Sequence, residues 1–375
     1  MPPKWVHFPL SGPFFDYINN QVQKLQHTAV MTTTRAAFVV ALILRSIYGG
    51  MHIVAKGAFD EGMSTSVFVL YRHAIGVLFL LPVAFVLERK TSPALSFKVS
   101  LKLFVHALYG ISGSINIYSI GLSYASATSS SAISNVLPVV AFFLAVLLRT
   151  ESLNMKRFQG IVKVTGVVFC FAGVIVLAFY QGPEMKSFNH HRLLHHTSNS
   201  HVTVTVHSVR TWLLGIFLMT LGTICWAFWT VLQGPMLDAY PSKLLNTTLQ
   251  IVFATIQCFF IALVVERDFS RWKLKLDISL IAVLYSGILV TAIGYYMQIW
   301  VIDNSGPVFL AMTMPITLLV TIVLCSLLGE AVTLGSILGG VVMVGGLYCV
   351  LWAKKTEQVD ISKEQMAAPV QETEV

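Results

Sequence analysis

Charged residues are scarce in this chain of 375 residues: only 11% are Asp, Glu, Lys or Arg, whereas 55% are hydrophobic. This composition lies outside the range of ordinary soluble domains and predicts a protein that crosses a membrane several times. The net charge of +8 does not indicate a nucleic-acid partner. The Lys and Arg residues fall mainly in short segments between apolar runs, where they set the orientation of the chain in the membrane.

Other features that would direct the interpretation elsewhere are also missing. The five cysteines all lie inside predicted helices, so the loops carry no disulfide framework. Residues 1–34 lack the apolar segment of a cleavable signal peptide, and we expect them to form a mobile cytosolic arm. The chain contains no Gly-x-x-x-x-Gly-Lys-Ser/Thr loop, which excludes this type of ATP site as an energy source.

Apolar runs of membrane length recur along the chain. A spanning helix needs roughly 20 mostly apolar residues. This criterion predicts an all-α membrane protein with ten transmembrane helices, at residues 36–56, 65–87, 101–121, 125–148, 159–179, 212–233, 244–265, 278–300, 308–328 and 333–353.

The fourth run is unusual because it begins with a cluster of Ser and Thr. Residues 123–138 are rich in small hydroxyl residues and lead directly into an apolar stretch that ends before Glu151. We interpret the cluster as the first half of a spanning helix, with Asn135 and Pro138 placing an amide and a freed carbonyl near its middle. Such groups are tolerated in lipid only where they are buried or line a cavity. Close helix packing with a kink is the alternative explanation.

Polar side chains form stripes on several of the predicted helices. Arg45, Tyr48 and His52 follow each other at spacings of three and four, which places them on one helix face. A polar face of this kind should point away from lipid. Together with polar residues on the other helices, these side chains predict a central substrate pathway lined by Arg45, Tyr48, His52, Arg72, Asn116, Asn135, Pro138, Trp226, Thr230, Tyr295, Gln298, Thr313 and Pro315.

The second half of the chain repeats the first. Tyr118 and Tyr295, and likewise Pro138 and Pro315, are separated by the same number of positions. Each half holds five predicted spans, and an odd number requires that the second half be inserted upside down relative to the first. Two inverted five-helix repeats are the architecture of many secondary transporters, which bind substrate between the halves.

This repeat defines the predicted domain order. An excess of Lys and Arg on the side of the N-terminus places both termini in the cytosol. The segments are an N-terminal cytosolic arm at 1–34, a first repeat at 35–180, a His-rich linker at 181–210, a second repeat at 211–353 and a C-terminal cytosolic tail at 354–375.

Arg45 and His52 suggest that the pathway suits a carboxylate. A central Arg in a membrane helix costs roughly 2.5 to 3.5 kcal/mol on insertion scales, so it is retained mainly where it has a task. Its guanidinium can donate two parallel hydrogen bonds to a carboxylate. Two alternatives stay open, namely a permanent ion pair with Asp303 and bonding of Arg45 to helix carbonyls. For Glu151 and Glu330, which occupy matching places, we expect a structural role in capping a helix or pairing with a base.

The linker holds six of the eleven histidines, including the pairs His190-His191 and His195-His196. Histidine boxes occur in membrane di-iron oxidases, which makes an integral-membrane enzyme the alternative of a different class. None of the other five histidines forms a second box, so no metal site, cofactor or catalytic residue is predicted and the chain is not expected to be an enzyme.

Several short motifs resemble one known family. They are Tyr71-Arg72-His73-Ala74, Leu87-Glu88-Arg89-Lys90, Asn135-Val136-Leu137-Pro138, Gly306-Pro307-Val308-Phe309 and Gly329-Glu330. Across about residues 35–355 the chain is similar to the plant branch of the EamA-domain drug/metabolite transporters, the nodulin-like "Walls Are Thin"-related or usually-multiple-acids-move-in-and-out transporters.

This resemblance implies ten helices in two EamA repeats and a secondary transporter, either a facilitator or an exporter, for amino acids or auxin-like acids. It also implies the plasma membrane, with the vacuolar membrane as the alternative. The expected partners are therefore a small-molecule solute and the lipid bilayer, without nucleic acid. A nucleotide-sugar or sugar-phosphate carrier is the second transport hypothesis, and it would require several Lys or Arg in the cavity, for which Arg45, Arg72 and Lys163 are the candidates.

Overall fold

The computed structural model describes residues 13–88, 94–124, 133–151, 153–180, 182–185, 209–274, 276–328 and 332–367. Apart from two short strands, the regular structure of this part of the chain is helical. The first half contains α1 (Pro13–Asp60), α2 (Thr65–Glu88), α3 (Phe97–Ala107), a π-helical segment (Leu108–Gly113), α4 (Ser114–Tyr124), α5 (Leu137–Leu147) and α6 (Phe158–Phe179). The second half contains α7 (Val209–Ala239), α8 (Lys243–Val265), a 3₁₀ turn (Phe269–Trp272), α9 (Ile278–Tyr285), a π-helical segment (Ser286–Gly294), α10 (Tyr295–Ser305), α11 (Pro307–Met312), α12 (Met314–Leu328) and α13 (Leu334–Ala367).

Nine helical stretches of the described chain are long and apolar enough to cross a membrane, and α5 is a shorter apolar helix. Large apolar side chains such as Val86, Phe179 and Phe217 are exposed on the outer faces, as expected for contact with lipid. We call the end of the bundle that holds Glu88, Glu151 and Asp303 the Glu151 end. The opposite end, which holds Gly62, Trp272 and Thr333, is the Trp272 end.

The internal repeat is visible in the irregular parts of the helices. A π-helical segment follows α3 in the first half, and a second one follows α9 at the matching place in the second half. Both fourth helices are also interrupted, at Asn135–Val136 and at Thr313, shortly before Pro138 and Pro315. A proline removes one backbone donor and therefore leaves a carbonyl without its helical partner. The predicted fold of two five-helix repeats is thus confirmed, and the irregular segments repeat with it.

Two helices extend beyond the predicted spans, and one predicted span is interrupted. Helix α1 begins at Pro13, so most of the expected N-terminal arm continues the first span as helix. Helix α13 extends to Ala367, well into the expected C-terminal tail. The fourth span is not one continuous helix, because the turn at Asn135–Val136 separates α5 from the residues before it. Most of the Ser/Thr cluster, at 125–132, lies outside the described residues, as do the linker histidines and Glu330.

Glycines bring two pairs of antiparallel helices into backbone contact. Along α6 and α13, a Cβ added to Gly346 would lie 2.5 Å from the carbonyl oxygen of Gly166, and Gly173 meets Gly339 in the same way one heptad away. We call this contact the α6–α13 seam. Gly121 and Gly215 form the equivalent contact between α4 and α7. Small residues allow helices to approach closely in a membrane, where van der Waals contact drives association.

A minimal sheet closes the Trp272 end. Strand β1 (Glu184–Met185) pairs antiparallel with β2 (Val332–Thr333), with Glu184 opposite Thr333. The pair ties the chain that follows α6 to the residues that precede α13, the two helices of the seam.

Candidate functional site

Arg72 is the centre of a polar cluster in the middle of the bundle. This α2 residue is only 6% exposed, and its Nε has no hydrogen-bond partner. Its Nη1 lies 3.7 Å from the sulfur of Met51, which is a weak acceptor. No carboxylate among the described residues forms an ion pair with it. A buried, unpaired guanidinium in a membrane helix is costly and therefore indicates a functional site.

The side chains around Arg72 come from three other helices. Its charge acts on Tyr48 and His52 of α1, on Tyr295 of α10 and on Cys258 of α8. The Tyr295 hydroxyl is fully buried close to the guanidinium, yet it makes no hydrogen bond of normal geometry. A cation and a phenol therefore lie side by side with free hydrogen-bonding capacity, which is the equipment needed to bind an anion.

More polar groups without partners lie at the contact between α2 and the second π-helical segment. They are His73 Nε2, Ser286 Oγ and Thr291 Oγ1. The helices approach closely here, since a Cβ on Gly76 would lie 2.6 Å from the Thr291 methyl group. Buried polar atoms are normally paired, so several orphans in one place require an explanation. A polar solute or water bound among them would supply the missing partners.

Arg45 is also buried, but its guanidinium donates hydrogen bonds to oxygen atoms of other residues. Its Nε donates to Thr313 Oγ1 at 2.8 Å, and its Nη2 donates to the carbonyl of Leu310 at 2.6 Å. The guanidinium thus caps the end of α11, where a positive charge is favourable and carbonyls lack helical partners. The proposed ion pair with Asp303 was wrong, because Asp303 pairs with Lys243 at 2.5 Å. The structure shows the other alternative, in which Arg45 donates to a helix carbonyl.

An amide and three aromatic rings complete the surroundings. Gln298 donates to the Tyr48 hydroxyl at 2.8 Å, which fixes both side chains between α1 and α10. The Tyr295 ring stands edge-on to Trp226 and Trp229, with centroids 5.9 and 5.6 Å away. The sequence predicts Trp226 as a pathway residue but not Trp229. The spacing of three residues between them was the available signal, because it places both on one helix face.

Other polar residues of the predicted pathway donate hydrogen bonds within their own helices. Asn116 donates to the Ser112 carbonyl of its own helix at 2.8 Å. Thr230 donates to the carbonyl of Trp226 in the same manner. Asn135 and Pro138 are buried at the interrupted fourth helix, and Pro315 is buried beside Thr313, but no contact described in the structure joins these three side chains to Arg72. Their part in a substrate pathway stays a prediction.

A separate polar network supports Trp229 from behind. The indole Nε1 donates to Gln250 at 2.8 Å, and Gln250 in turn donates to Gln233 at 3.2 Å. His106 stacks on the indole at a centroid distance of 6.1 Å and reaches Gln233 through Nε2 at 3.0 Å. In contrast to the groups around Arg72, these buried polar atoms satisfy each other. The network gives the aromatic wall a fixed position.

Ion pairs hold the Glu151 end together. The Glu151 carboxylate, only 8% exposed, lies 2.9 Å from the ammonium groups of both Lys163 and Lys354. Lys163 also contacts Glu357, and Lys354 reaches the Ser305 carbonyl at 3.3 Å. Burial alone would raise the pKa of Glu151, but the two ammonium groups outweigh it and keep that pKa below its usual value.

This arrangement confirms the pairing of Glu151 with a base. It also removes Lys163 from the candidates for the cavity, because its ammonium is already occupied by two carboxylates. Of the three cations that a phosphate-carrying pathway would require, only the two arginines lie in the middle of the bundle.

A groove of about 500 Å³ opens on the outer surface near the Trp272 end. Its lining is apolar and consists of Leu70, Tyr71, Ala74, Thr255, Ile256, Phe259, Phe260 and Trp272. It contains none of the pathway residues, and its exposed rings, such as Phe260, suit contact with lipid chains.

Comparison with known proteins places these features in context. The model of the EamA-like transporter family matches residues 35–179 and 213–352. A WAT1-related protein of Arabidopsis thaliana is 43% identical, with 88% of this chain and 95% of that protein aligned. The protein WALLS ARE THIN 1 of the same plant is 36% identical over 88% of this chain and 86% of its own length.

A more distant relative is an auxin-induced protein of Pinus taeda, 33% identical over 89% of this chain and 83% of that protein. One solved crystal structure has a TM-score of 0.64 and covers 86% of this chain and 99% of that chain. Its sequence identity is only 14%, so this likeness concerns the fold alone.

Proposed function

The chain belongs to the EamA-like transporter family, and from this premise we propose that it carries amino acids or auxin-like organic acids across a membrane by alternating access. The observation that carries the proposal is the buried Arg72 guanidinium, whose Nε has no hydrogen-bond partner and whose Nη1 reaches only the weakly accepting Met51 sulfur, with the unpartnered Tyr295 hydroxyl beside it. The solute carboxylate accepts hydrogen bonds from both groups. Charge-assisted bonds of this kind are about twice as strong as neutral ones.

The remaining groups of the cluster suit the rest of such a solute. Trp226 and Trp229 provide an apolar wall for a side chain or an aromatic ring, and Gln298 adds an amide next to Tyr48. An apolar surface with a few placed polar groups is the usual composition of a small-molecule site. Arg45 stabilises the interrupted ninth span from which part of this site is built.

The polar face of α1 supports access from the Trp272 end. Its side chains become more buried with depth: His52 is exposed, Tyr48 is half-buried and Arg45 is buried. At the other end, the Glu151 ion pairs join both repeats and close the bundle. We propose that the Glu151 end is cytosolic, together with both termini, and that the protein resides in the plasma membrane.

Two arginine variants in proteoliposomes test the role of Arg72. In an exchange assay with radiolabelled amino acids and indole-3-acetate, Arg72→Gln should weaken carboxylate binding by about ten- to a hundredfold, the value of a lost charge-assisted bond. Arg45→Gln is the matched control, since its guanidinium is equally buried but bonded to Thr313 and Leu310. This control should lose thermal stability and retain its preference for carboxylates.

The opposite pattern would return the carboxylate role to Arg45, as the sequence had suggested. Equal affinities of the wild type and Arg72→Gln for carboxylates and for their amides would refute the anion site. No exchange of any tested solute by the folded wild-type protein would refute the proposed transport function.

A further inference from the structure

One ring nitrogen of His73 lies at the centre of the bundle without a hydrogen-bond partner. Its Nδ1 lies 2.6 Å from the carbonyl oxygen of Val69, four residues earlier in α2. A carbonyl oxygen only accepts, so Nδ1 must carry the hydrogen, and in the neutral ring Nε2 is then an acceptor. The ring is fully buried, and Nε2 has no hydrogen-bond partner. Nε2 is therefore the ring nitrogen that is open to a proton or to a hydrogen-bond donor, although the neighbouring Arg72 charge opposes its protonation while no anion is bound.

The neighbours of His73 include no carboxylate at its depth. In the described membrane-crossing parts of α1, α2, α4, α8, α9 and α10, acidic side chains occur only at Glu88 and Asp303, both near the Glu151 end. The titratable or charged groups that these helices contribute toward the middle and the Trp272 end are Arg45, Tyr48, His52, Tyr71, Arg72, Tyr118, Tyr124, Cys258, Tyr285, Tyr295 and Tyr296.

The ring contact of His73 leads directly to the anion site. Its imidazole stands edge-on to the ring of Tyr295, at a centroid distance of 6.3 Å. Arg72, the residue that precedes it in the chain, acts on it with a positive charge. The proton acceptor, the phenol and the guanidinium thus belong to one cluster at the contact between α2 and the helix that contains α10.

We propose that His73 binds a proton together with the solute, so that this protein is a proton-coupled symporter; the inference rests on the transport function proposed above. The proton comes from water on the side to which the cluster is open. It bonds to the Nε2 lone pair and turns the neutral imidazole into imidazolium. After the cluster opens to the other side, the same Nε2–H bond breaks and the proton leaves with the solute.

The coupling between proton and solute follows from charge. In the empty cluster, the guanidinium of Arg72 opposes a second positive charge on the adjacent His73. A bound carboxylate neutralises Arg72 and favours the imidazolium, because opposite charges attract strongly where water is excluded. Each ligand therefore increases the affinity for the other, as thermodynamic linkage requires. His is the residue type whose charge changes in the physiological pH range.

The test is accumulation of solute in proteoliposomes driven by a proton gradient. A mixture of radiolabelled amino acids is supplied outside, the exterior is more acidic than the lumen, and valinomycin with equal potassium holds the voltage at zero. One pH unit corresponds to about a tenfold change in an equilibrium, so one coupled proton should give about tenfold accumulation. Protein-free liposomes supply the background.

His73→Asn is the diagnostic variant, because its amide can still donate to the Val69 carbonyl while the proton-binding nitrogen is gone. It should exchange amino acids across the membrane but equilibrate them without accumulation. His52→Asn is the comparison variant, because His52 belongs to the predicted pathway on α1 and is the other histidine on which Arg72 acts. Whatever its effect on the exchange rate, it should still accumulate solute, because the proton-binding nitrogen of His73 is intact.

Each outcome decides the matter. Loss of accumulation in His52→Asn with retention in His73→Asn would overturn the assignment to His73. A wild type that exchanges amino acids but never accumulates them would overturn proton coupling and leave the transport function intact, even if His73→Asn does not fold. Absence of exchange in the wild type would overturn both.

Discussion

Replacement of Glu151 by Gln should destabilise the closed Glu151 end, because two ammonium groups lose the carboxylate that they share. The substitution removes the carboxylate that lies 2.9 Å from both Lys163 and Lys354. Loss of one partner of a buried ion pair costs about 3 to 5 kcal/mol. Lys163 keeps Glu357 and Lys354 keeps the Ser305 carbonyl, so we expect the lower value. At roughly 2 °C per kcal/mol, 3 kcal/mol corresponds to about 6 °C in Tm.

The assay is thermal unfolding of the purified protein in detergent at neutral pH. The double variant Glu151→Gln, Lys354→Met removes the carboxylate and the ammonium that depends on it, and Lys163 remains paired with Glu357. It should therefore regain most of the lost stability, because an apolar pair often replaces a buried ion pair without cost. Asp268→Asn is the control. Asp268 and Arg271 are both 58% exposed, so solvent screens this loop pair and its loss should leave the Tm nearly unchanged.

The same variant has a defined pH dependence. The folded protein lowers the pKa of Glu151, so the stability due to its charge is present above the pKa of the unfolded chain, about 4.3 for Glu. It is lost as the pH falls through the lower pKa of the folded state. The difference in Tm between the wild type and Glu151→Gln should accordingly shrink below about pH 4. A Tm for Glu151→Gln equal to that of Asp268→Asn at neutral pH would refute this account of the ion pairs.

Two further predictions concern packing. Gly346→Ala should disrupt the α6–α13 seam, because the new Cβ would lie 2.5 Å from the Gly166 carbonyl oxygen. Gly345→Ala should be tolerated, because a Cβ at that position meets no atom within 4 Å. Equal folded yields of the two variants would contradict the predicted clash in the seam. Trp229→Phe should lower the free energy of unfolding by about 1 to 3 kcal/mol, because the buried Gln250 oxygen loses its hydrogen-bond donor. Trp212→Phe, at an exposed position, should leave the stability unchanged. Equal Tm values for the two variants would show that the network contributes nothing to stability.

The repeat was predictable from sequence because both halves solve the same geometric problem. The matching positions of Pro138 and Pro315 predicted equivalent fourth helices, and both are interrupted shortly before these prolines. The π-helical segments could not be predicted, since each depends on how a helix of one half packs against the other. The sequence did not predict the helical extension that begins at Pro13, because residues 13–34 contain no apolar run long enough to cross a membrane.

The candidate site was predictable in its residue types and less so in their roles. The spacing of Arg45 and His52 predicted a polar face on α1, of which the structure buries Arg45 and leaves His52 exposed. Whether a guanidinium is free or occupied depends on neighbours that are distant in sequence: the Leu310 carbonyl binds Arg45, and nothing comparable reaches Arg72 Nε. In the sequence His73 is only one residue of a family motif, because the missing partner of its Nε2 becomes visible only in three dimensions.

The α6–α13 seam can serve as a reference for distance measurements with spin labels. Its two helices are the last of each repeat, and their backbones are in contact at two levels, Gly166–Gly346 and Gly173–Gly339, so we expect them to move as one unit. A pair of spin labels on the outer faces of α6 and α13 should report one narrow distance whether solute is present or absent. A second pair, with one label on α1 or α2 and the other on α13, would then measure the movement of the solute-binding helices against that immobile frame.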